Sequence, residues 1–307
     1  MTSKRVSSLA AQNPKGTIHH PLHGMALMIF GVAILIILEL GAKGASAEGI
    51  PVLQTVWMRF VVHLIIFTSI FGKSMGLDLV RTAYPAIQIT RSILLFVMTV
   101  ATFTALKHLQ MVQVTTIGFA APFIVAILSI FLLGERVGFH RWTAIVIGFV
   151  GVLVVIRPGT DGMHWAMGVF FIGVAGYALF LVLTRKIAGV ENPIRSAMYT
   201  AIVGGVVLTF PMPWIWEWPA TNIGWFYMIL AGGAGAMAHF LIIKAHKFAE
   251  ASLLGPLYYS QIVWSLLAGY LAFDDIPDGY TMAGAGIVIS SGLYLMFRES
   301  LKRRRAK

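Results

Sequence analysis

Leu132–Gly138 reads "LLGERVG" and Ala272–Gly279 reads "AFDDIPDG". Each is a short charged turn between two long apolar runs. At an offset of 140 positions Leu133 falls on Phe273 and Glu135 on Asp275. The same offset carries Ala105 and Lys107 onto Ala245 and Lys247, and one inserted residue later Gly151 and Arg157 fall on Gly292 and Arg298. The chain repeats itself, with one difference at the turns. The first carries Arg136, with Arg141 close behind, while the second carries only acids.

The apolar context gives that difference its meaning. Of 307 residues, 58% are hydrophobic and 11% are charged. A soluble domain carries about 25% charged and about 45–50% apolar residues. The expectation is an all-α integral membrane protein. The formal net charge of +11 does not indicate nucleic acid, because the basic residues sit in connections and tails, where they set membrane topology. The absence of cysteine excludes disulfides, zinc-thiolate sites and a cysteine nucleophile. The apolar run after the polar first twenty residues is too long for a signal-peptide core, so it reads as a retained first span.

A bilayer core of about 30 Å takes roughly 20 apolar residues as a helix. Ten spans are expected, near 22–42, 51–71, 84–104, 112–133, 141–157, 164–184, 196–216, 223–243, 251–272 and 279–297. Their runs are continuous rather than alternating, which favours helices over a barrel. With the N-terminus inside, only Lys43, Lys107 and Arg157 fall in outside segments, and Arg59 and Arg91 fall within spans. All other Lys and Arg lie inside, including the tail "KRRR" (302–305), which reads as a topology anchor against anionic lipid. Trp214, Trp216, Trp218 and Trp225 read as an interfacial belt on the outside.

Each repeat holds five spans. Five is odd, so the second half enters the membrane inverted relative to the first, the arrangement of many secondary transporters. Glu135 and Asp275 should then lie on opposite membrane faces. The expected organisation is a cytoplasmic tail (1–21), a first five-helix repeat (22–157), a second (158–297) and a basic cytoplasmic tail (298–307).

At this point the residues carry a resemblance. "PVLQTVWMRF" (51–60), "ALKHL" (105–109), "APFIVAILSIFLLGERVG" (121–138) and "GFVGVLVVIRPG" (148–159) resemble the EamA-type branch of the drug/metabolite transporter superfamily. "GPLYYSQIVWSLLAGYLAFDDIPDG" (255–279) and "GLYLMFRES" (292–300) resemble its second repeat. The resemblance implies ten helices in two inverted halves, both termini cytoplasmic in a bacterial-type inner membrane, a central cavity, and alternating access without ATP. It implies a small-molecule substrate such as an amino acid, S-adenosylmethionine, riboflavin or a nucleotide-like compound. The alternative is a membrane-embedded enzyme or a non-transporting assembly partner. The partners expected are substrate and lipid, with no nucleic acid, and the state is a monomer or homodimer. No cofactor or metal is expected.

A charge at the centre of a membrane helix costs about 2.5–3.5 kcal/mol on insertion scales, so it needs a partner or a wet cavity. Arg59 lies eight residues past Pro51 and reaches about 12 Å into a half-core of about 15 Å. Arg91 enters from the other side, seven residues past Tyr84, and reaches roughly 10 Å. His63 is one turn from Arg59 on the same face. A guanidinium fits a carboxylate or phosphate in fork geometry, so Arg59 and Arg91 are candidates for substrate charge. They are equally candidates for pairing with an acid or capping carbonyls. Glu39 and Lys43 are spaced as an i,i+4 pair and read as a gate or fold contact, with Glu39–Arg59 as another pairing. Glu39 is also the leading intramembrane carboxylate to carry a proton, with His63 and His239 as alternatives. Tyr177, His239, Tyr258, Tyr259, Gln261 and Trp264 fall within second-half spans. The spacing of Tyr258, Gln261 and Trp264 predicts a shared face that would stack on a ring and hydrogen-bond it, or simply pack. Pro122 and Pro256 should break spans four and nine. Gly232, Gly233, Gly235, Gly284 and Gly286 predict close helix contact. His19, His20 and His23 form at most a weak metal site near the inner surface.

Overall fold

Inside lipid, backbone amides have no water to turn to, so apolar runs of this length satisfy them within the segment, as helix. The computed structural model describes residues 21–133, 138–187, 190–248 and 254–306, and no strand occurs among them. The elements are α1 (Pro21–Ala47), α2 (Val52–Met75) with a 3-10 turn (Gly76–Leu79), α3 (Pro85–His108), α4 (Met111–Gly118), α5 (Ala121–Leu133), α6 (Phe139–Ile156), α7 (Trp165–Ile187), α8 (Pro193–Thr209), a short α9 (Met212–Ile215), α10 (Asn222–Phe248), a 3-10 turn (Gly255–Tyr259), α11 (Ser260–Phe273) and α12 (Gly279–Ala306).

Among the described residues, six stretches are long and apolar enough to cross a membrane: Leu22–Ala47, Val52–Leu79, Pro85–His108, Met111–Leu132, Trp165–Thr184 and Asn222–Ile242. Trp142–Ile156 and Pro193–Thr209 are apolar but shorter. Large apolar side chains such as Phe30, Ile65, Ile172, Phe226 and Leu271 stay exposed on the outer surface of the bundle, a disposition that suits lipid rather than water.

Local signals set the helix ends. Pro85 and Pro193 stand in first turns, where a missing N–H costs nothing. The Asn192 side chain accepts from the Ile194 N–H at 2.8 Å. Gln110 and Gln113 close a reciprocal capping box at the start of α4. The fourth apolar run is broken at Phe119–Ala120, with Pro122 at the second position of α5. The corresponding run of the second half opens with the 3-10 turn that holds Pro256. Both breaks fall where proline cannot continue a regular ladder.

The helices pack in matched pairs. α1 packs on α10 as α7 packs on α3; α2 packs on α10 as α8 packs on α3; α1 meets α11 as α7 meets α5. The pairs α2·α8, α4·α11 and α6·α12 join equivalent runs of the two halves. One buried cluster, with Phe60, Leu106, Met111, Phe170, Ile262 and Val288 among its members, runs through the junction.

Contacts sort to two ends of the bundle. At one end Lys43 bonds Asp275 (2.5 Å) and Arg157 bonds Asp278 (2.6 Å). There too Gln54 bonds the Glu217 backbone, and Trp57, Trp216, Trp218 and Trp225 form a ring cluster with centroids 5.7–6.0 Å apart. At the other end Glu191 accepts from Thr82 and Arg195, Tyr199 donates to the Val80 carbonyl, and His140 contacts Tyr294 and Arg298. α6 and α12 are therefore antiparallel, with His140 by Arg298 at one end and Arg157 by Asp278 at the other. Glu135 lies outside the described residues.

Candidate functional site

Buried polar side chains gather in groups inside the bundle among the described residues. The first is centred on Arg59 of α2. Arg59 is 6% exposed, its Nη1 donates to Thr99 Oγ1 of α3 at 3.0 Å, and its guanidinium lies over the Phe60 ring at 4.8 Å. Its Nε is buried without a hydrogen-bond partner. His63, one turn on, stacks on Phe67 at 4.5 Å and leaves Nε2 buried and unpaired. His239 of α10 faces His63 with ring centroids 6.3 Å apart, and its Nδ1 lies 2.9 Å from the Gly235 carbonyl oxygen. Gly235 gives this group its room. A Cβ there would meet Leu38 Cδ1 at 2.8 Å and Arg59 Nε at 3.7 Å.

The second group is centred on Glu39 of α1, 8% exposed. One carboxylate oxygen accepts from Gln261 Nε2 of α11 at 3.1 Å and the other from Thr115 Oγ1 of α4 at 3.5 Å. Neither the expected Glu39–Lys43 pair nor a Glu39–Arg59 pair forms. Lys43 turns to the end of the bundle, where Asp275 and the Leu109 carbonyl (3.1 Å) hold it over the Phe273 ring. An i,i+4 contact is worth a few tenths of a kcal/mol, and a carboxylate that also accepts from the Met111 N–H outcompetes it.

Arg91 differs from Arg59. Its Nε donates to Thr184 at 2.9 Å, its Nη1 to Gln88 Oε1 at 2.6 Å, and it lies over Phe180 at 4.9 Å. Gln88 in turn donates to Ser196 at 2.9 Å, and Ser92 to the Tyr199 carbonyl at 2.7 Å. These bonds fasten α3 to α7 and α8.

The aromatic candidates divide: Tyr177 and Tyr258 lie close enough to interact, while Tyr259 and Trp264 turn elsewhere. Tyr177 stacks on Phe180 at 5.5 Å. Tyr258 packs beside Met28 and Val32, and Tyr259 stacks on Phe119 at 4.7 Å with an interplanar angle of 13°. Trp264 is 37% exposed while Gln261 reaches Glu39. The expected single face of Tyr258, Gln261 and Trp264 is thus not formed. Three residues of α-helix leave Gln261 and Trp264 about 60° apart, which turns Trp264 outward. Phe119, Pro122, Phe123, Tyr259 and Ser291 are among the residues lining a cavity of about 250 Å³. Among the described residues no group of three or more His, Asp or Glu is placed to hold a metal. His23 packs against Phe248, and His19 and His20 lie outside the described residues.

Sequence reasoning missed Thr99, Thr115, Gln88 and Thr184, the neutral partners of the buried charges. Their only signal was polarity inside an apolar run. Phe119 was within reach, because the 140-position offset lands it on Tyr259.

An all-helical bundle with several membrane-length apolar helices and buried charges is a multi-pass membrane protein. The EamA-like transporter family model matches residues 22–157 and again 164–298, and the chain belongs to that family. It is 28% identical to an S-adenosylmethionine uptake transporter of Rickettsia bellii, over 80% of this chain and 84% of that protein. It is 28% identical to a riboflavin transporter of Rhizobium johnstonii over 78% and 80%. It is 21% identical to the pseudopaline exporter CntI of Pseudomonas aeruginosa over 87% and 93%. A solved crystal structure superposes with a TM-score of 0.62 over 92% of this chain and 99% of its own, at 18% identity, a likeness of fold alone.

Proposed function

We propose that this protein is a secondary transporter that carries a small polar metabolite across a bacterial cytoplasmic membrane by alternating access. One observation carries the reading. The principal helix contacts between the halves occur in pairs that interchange when the halves are exchanged, Glu39 bonds Gln261 across the two halves, and Arg59 abuts Gly235 of the other half. Two inverted five-span units, 22–157 and 158–297, account for that exchange. The antiparallel α6·α12 pair supports it, because an inverted equivalent must run the opposite way. Ten crossings then put both termini on the cytoplasmic side, and the Lys43–Asp275 end outside.

Two such halves have two arrangements of similar energy, because each contact that breaks on one side has an equivalent that forms on the other. Substrate shifts the balance by binding where the halves meet. Named relatives handle S-adenosylmethionine, riboflavin and pseudopaline, so the substrate class proposed is a small polar metabolite with ionisable or heteroaromatic groups. Arg59 supplies hydrogen-bond donors to it, with the His63 and His239 rings beside it. Glu39 with Gln261 supplies the acceptor side. Arg91 braces α3 against α7 and α8, and Lys43 gates.

Purified protein in liposomes should take up or exchange labelled S-adenosylmethionine, riboflavin, amino acids or nucleotides when a gradient is imposed. Folded protein that moves none of them would overturn the reading.

A further inference from the structure

A cavity walled by carbon does not hold water, and in a membrane bundle the molecule at hand to fill it is lipid. α5, α6, α7 and α12 all contribute walls to the 250 Å³ cavity, together with Phe119 and Tyr259. Of the described lining side chains only Tyr259 and Ser291 carry polar atoms, and the Ser291 hydroxyl already donates to the Val288 carbonyl at 3.0 Å. The packing leaves a way in. α6 lies along α12 and α5 along α7, while α5 and α6 touch each other little. Phe131 and Leu132 of α5 and Phe139 and Ile147 of α6 stand exposed. One end of α6 and α12 then supplies charge. His140, Ala144 and Gly148 recur at four-residue spacing, and Ser291, Leu295 and Arg298 at four and three, so each set shares one helix face. His140 thus lies one turn, about 6 Å, beyond the cavity wall on α6, and Arg298 one turn beyond it on α12. Arg298 Nη2 is 3.2 Å from His140 Nδ1, and the Tyr294 hydroxyl is 3.3 Å from the same nitrogen. Among the described residues Arg298 meets no carboxylate, so it has N–H groups left for an anion. It also follows the apolar run "GLYLMF" (292–297) and opens the polar tail, which is headgroup depth.

We propose that the cavity and this charged end form one site for an anionic phospholipid of the leaflet on the His140 side. The phosphate sits on Arg298 and His140, in the fork geometry that a guanidinium offers, with the Tyr294 hydroxyl beside it. One acyl chain enters between α5 and α6 and fills the cavity as far as Phe119 and Tyr259. Neither part suffices alone. Exposed charges hold a phosphate weakly against salt, and an apolar cavity does not tell one headgroup from another. Together they select one lipid by both ends. The bound chain fills the seam between α5 and α6 that protein contacts leave thin, so lipid that binds the native state stabilises it.

The test uses the full chain, stripped of lipid in detergent. Phosphatidylglycerol, phosphatidylcholine of the same chains, and inorganic phosphate are added in turn. Native mass spectrometry counts bound lipid, and the melting temperature is read alongside. The expected result is one retained phosphatidylglycerol, preferred about tenfold over phosphatidylcholine, the worth of one charge-assisted contact. Its rise in melting temperature should not be reproduced by inorganic phosphate. Arg298→Gln with His140→Gln should erase the preference between the two lipids. Ala144→Leu and Ile145→Phe fill the cavity and should cut retention of both lipids several-fold, their own melting transitions reporting that they fold. Chain-brominated phosphatidylglycerol gives an arm that needs no cavity variant. It should quench a fluorescence component that is missing in Trp142→Phe, because Trp142 lies edge-on to Phe123 of the cavity wall at 6.3 Å. Equal retention of the two lipids by the unaltered protein, or undiminished retention by the filled variants, would overturn the site. Stabilisation by inorganic phosphate to the same extent would also overturn it, leaving only an ion at Arg298.

Discussion

Arg59 and Arg91 look equivalent by depth in their helices, yet the residues around them give them different work. Arg91 meets Thr184 and Gln88 and spends its donors on the protein. Arg59 meets one threonine and a ring face, and keeps Nε open. That both arginines fall within apolar runs was legible in the sequence, because run length is a local property of the chain. The partners were not, because they come from helices far away in the chain. Outside the spans, two loop carboxylates carry a pH signature. Burial pushes Glu191 upward, but bonds from Thr82, the Asn192 N–H and Arg195 outweigh it and hold it below the usual carboxylate range. The Thr281 hydroxyl, more than the Thr281 N–H and Arg157, holds Asp278 below that range against a smaller effect of burial. A carboxyl whose folded value is depressed stabilises the fold above its unfolded value, about 4, and loses that contribution as pH falls through the folded value. The melting temperature in detergent should therefore fall as pH drops below about 4. Glu191→Gln with Asp278→Asn should lower it by a few degrees at neutral pH and flatten the acid decline. An unchanged acid limb would show that these loops do not set it.

At the scale of elements, the breaks in the fourth and ninth apolar runs were readable from Pro122 and Pro256. What they bring together was not. The breaks let Phe119 and Tyr259, equivalent positions of the two halves, stack face to face. The close approach of α6 and α12 was half readable. Gly284 predicted tight contact, and its Cβ would sit 2.5 Å from the Gly151 carbonyl oxygen and from Val155 Cγ2. Gly286 predicted the same but faces open space. Periodicity alone does not say which side of a helix turns to its neighbour when the helix is apolar all round. Gly284→Ala should thus destabilise by about 1–3 kcal/mol, because backbone must move. Gly286→Ala should be neutral or stabilising by up to about 1 kcal/mol, from helix propensity. Thermal or chemical unfolding of the two variants side by side decides it.

For the whole molecule, the ion pairs Lys43–Asp275 and Arg157–Asp278 close one end of the bundle, joining α1 and α6 of the first half to the α11–α12 connection of the second. The chain has no cysteine, so a single introduced one reports cleanly. Thr115→Cys, beside Glu39, should react slowly with a membrane-impermeant maleimide added on the Asp275 side. Adding Lys43→Gln should raise that rate several-fold. An unchanged rate would mean that the pair does not close this end.

The sequence by itself determined that the protein lives in a membrane, that it is helical and that it repeats, because apolar run length, charge placement and internal offset are local properties of the chain. It also showed that Glu39, Arg59 and Arg91 fall within apolar runs, for the same reason. Tertiary structure alone decided which charges are free. Pairing depends on which distant helix supplies a threonine, a glutamine or an aspartate at the right height. Lys43 found Asp275, Arg91 found Thr184 and Gln88, Arg59 found Thr99, and Glu39 found Gln261 and Thr115.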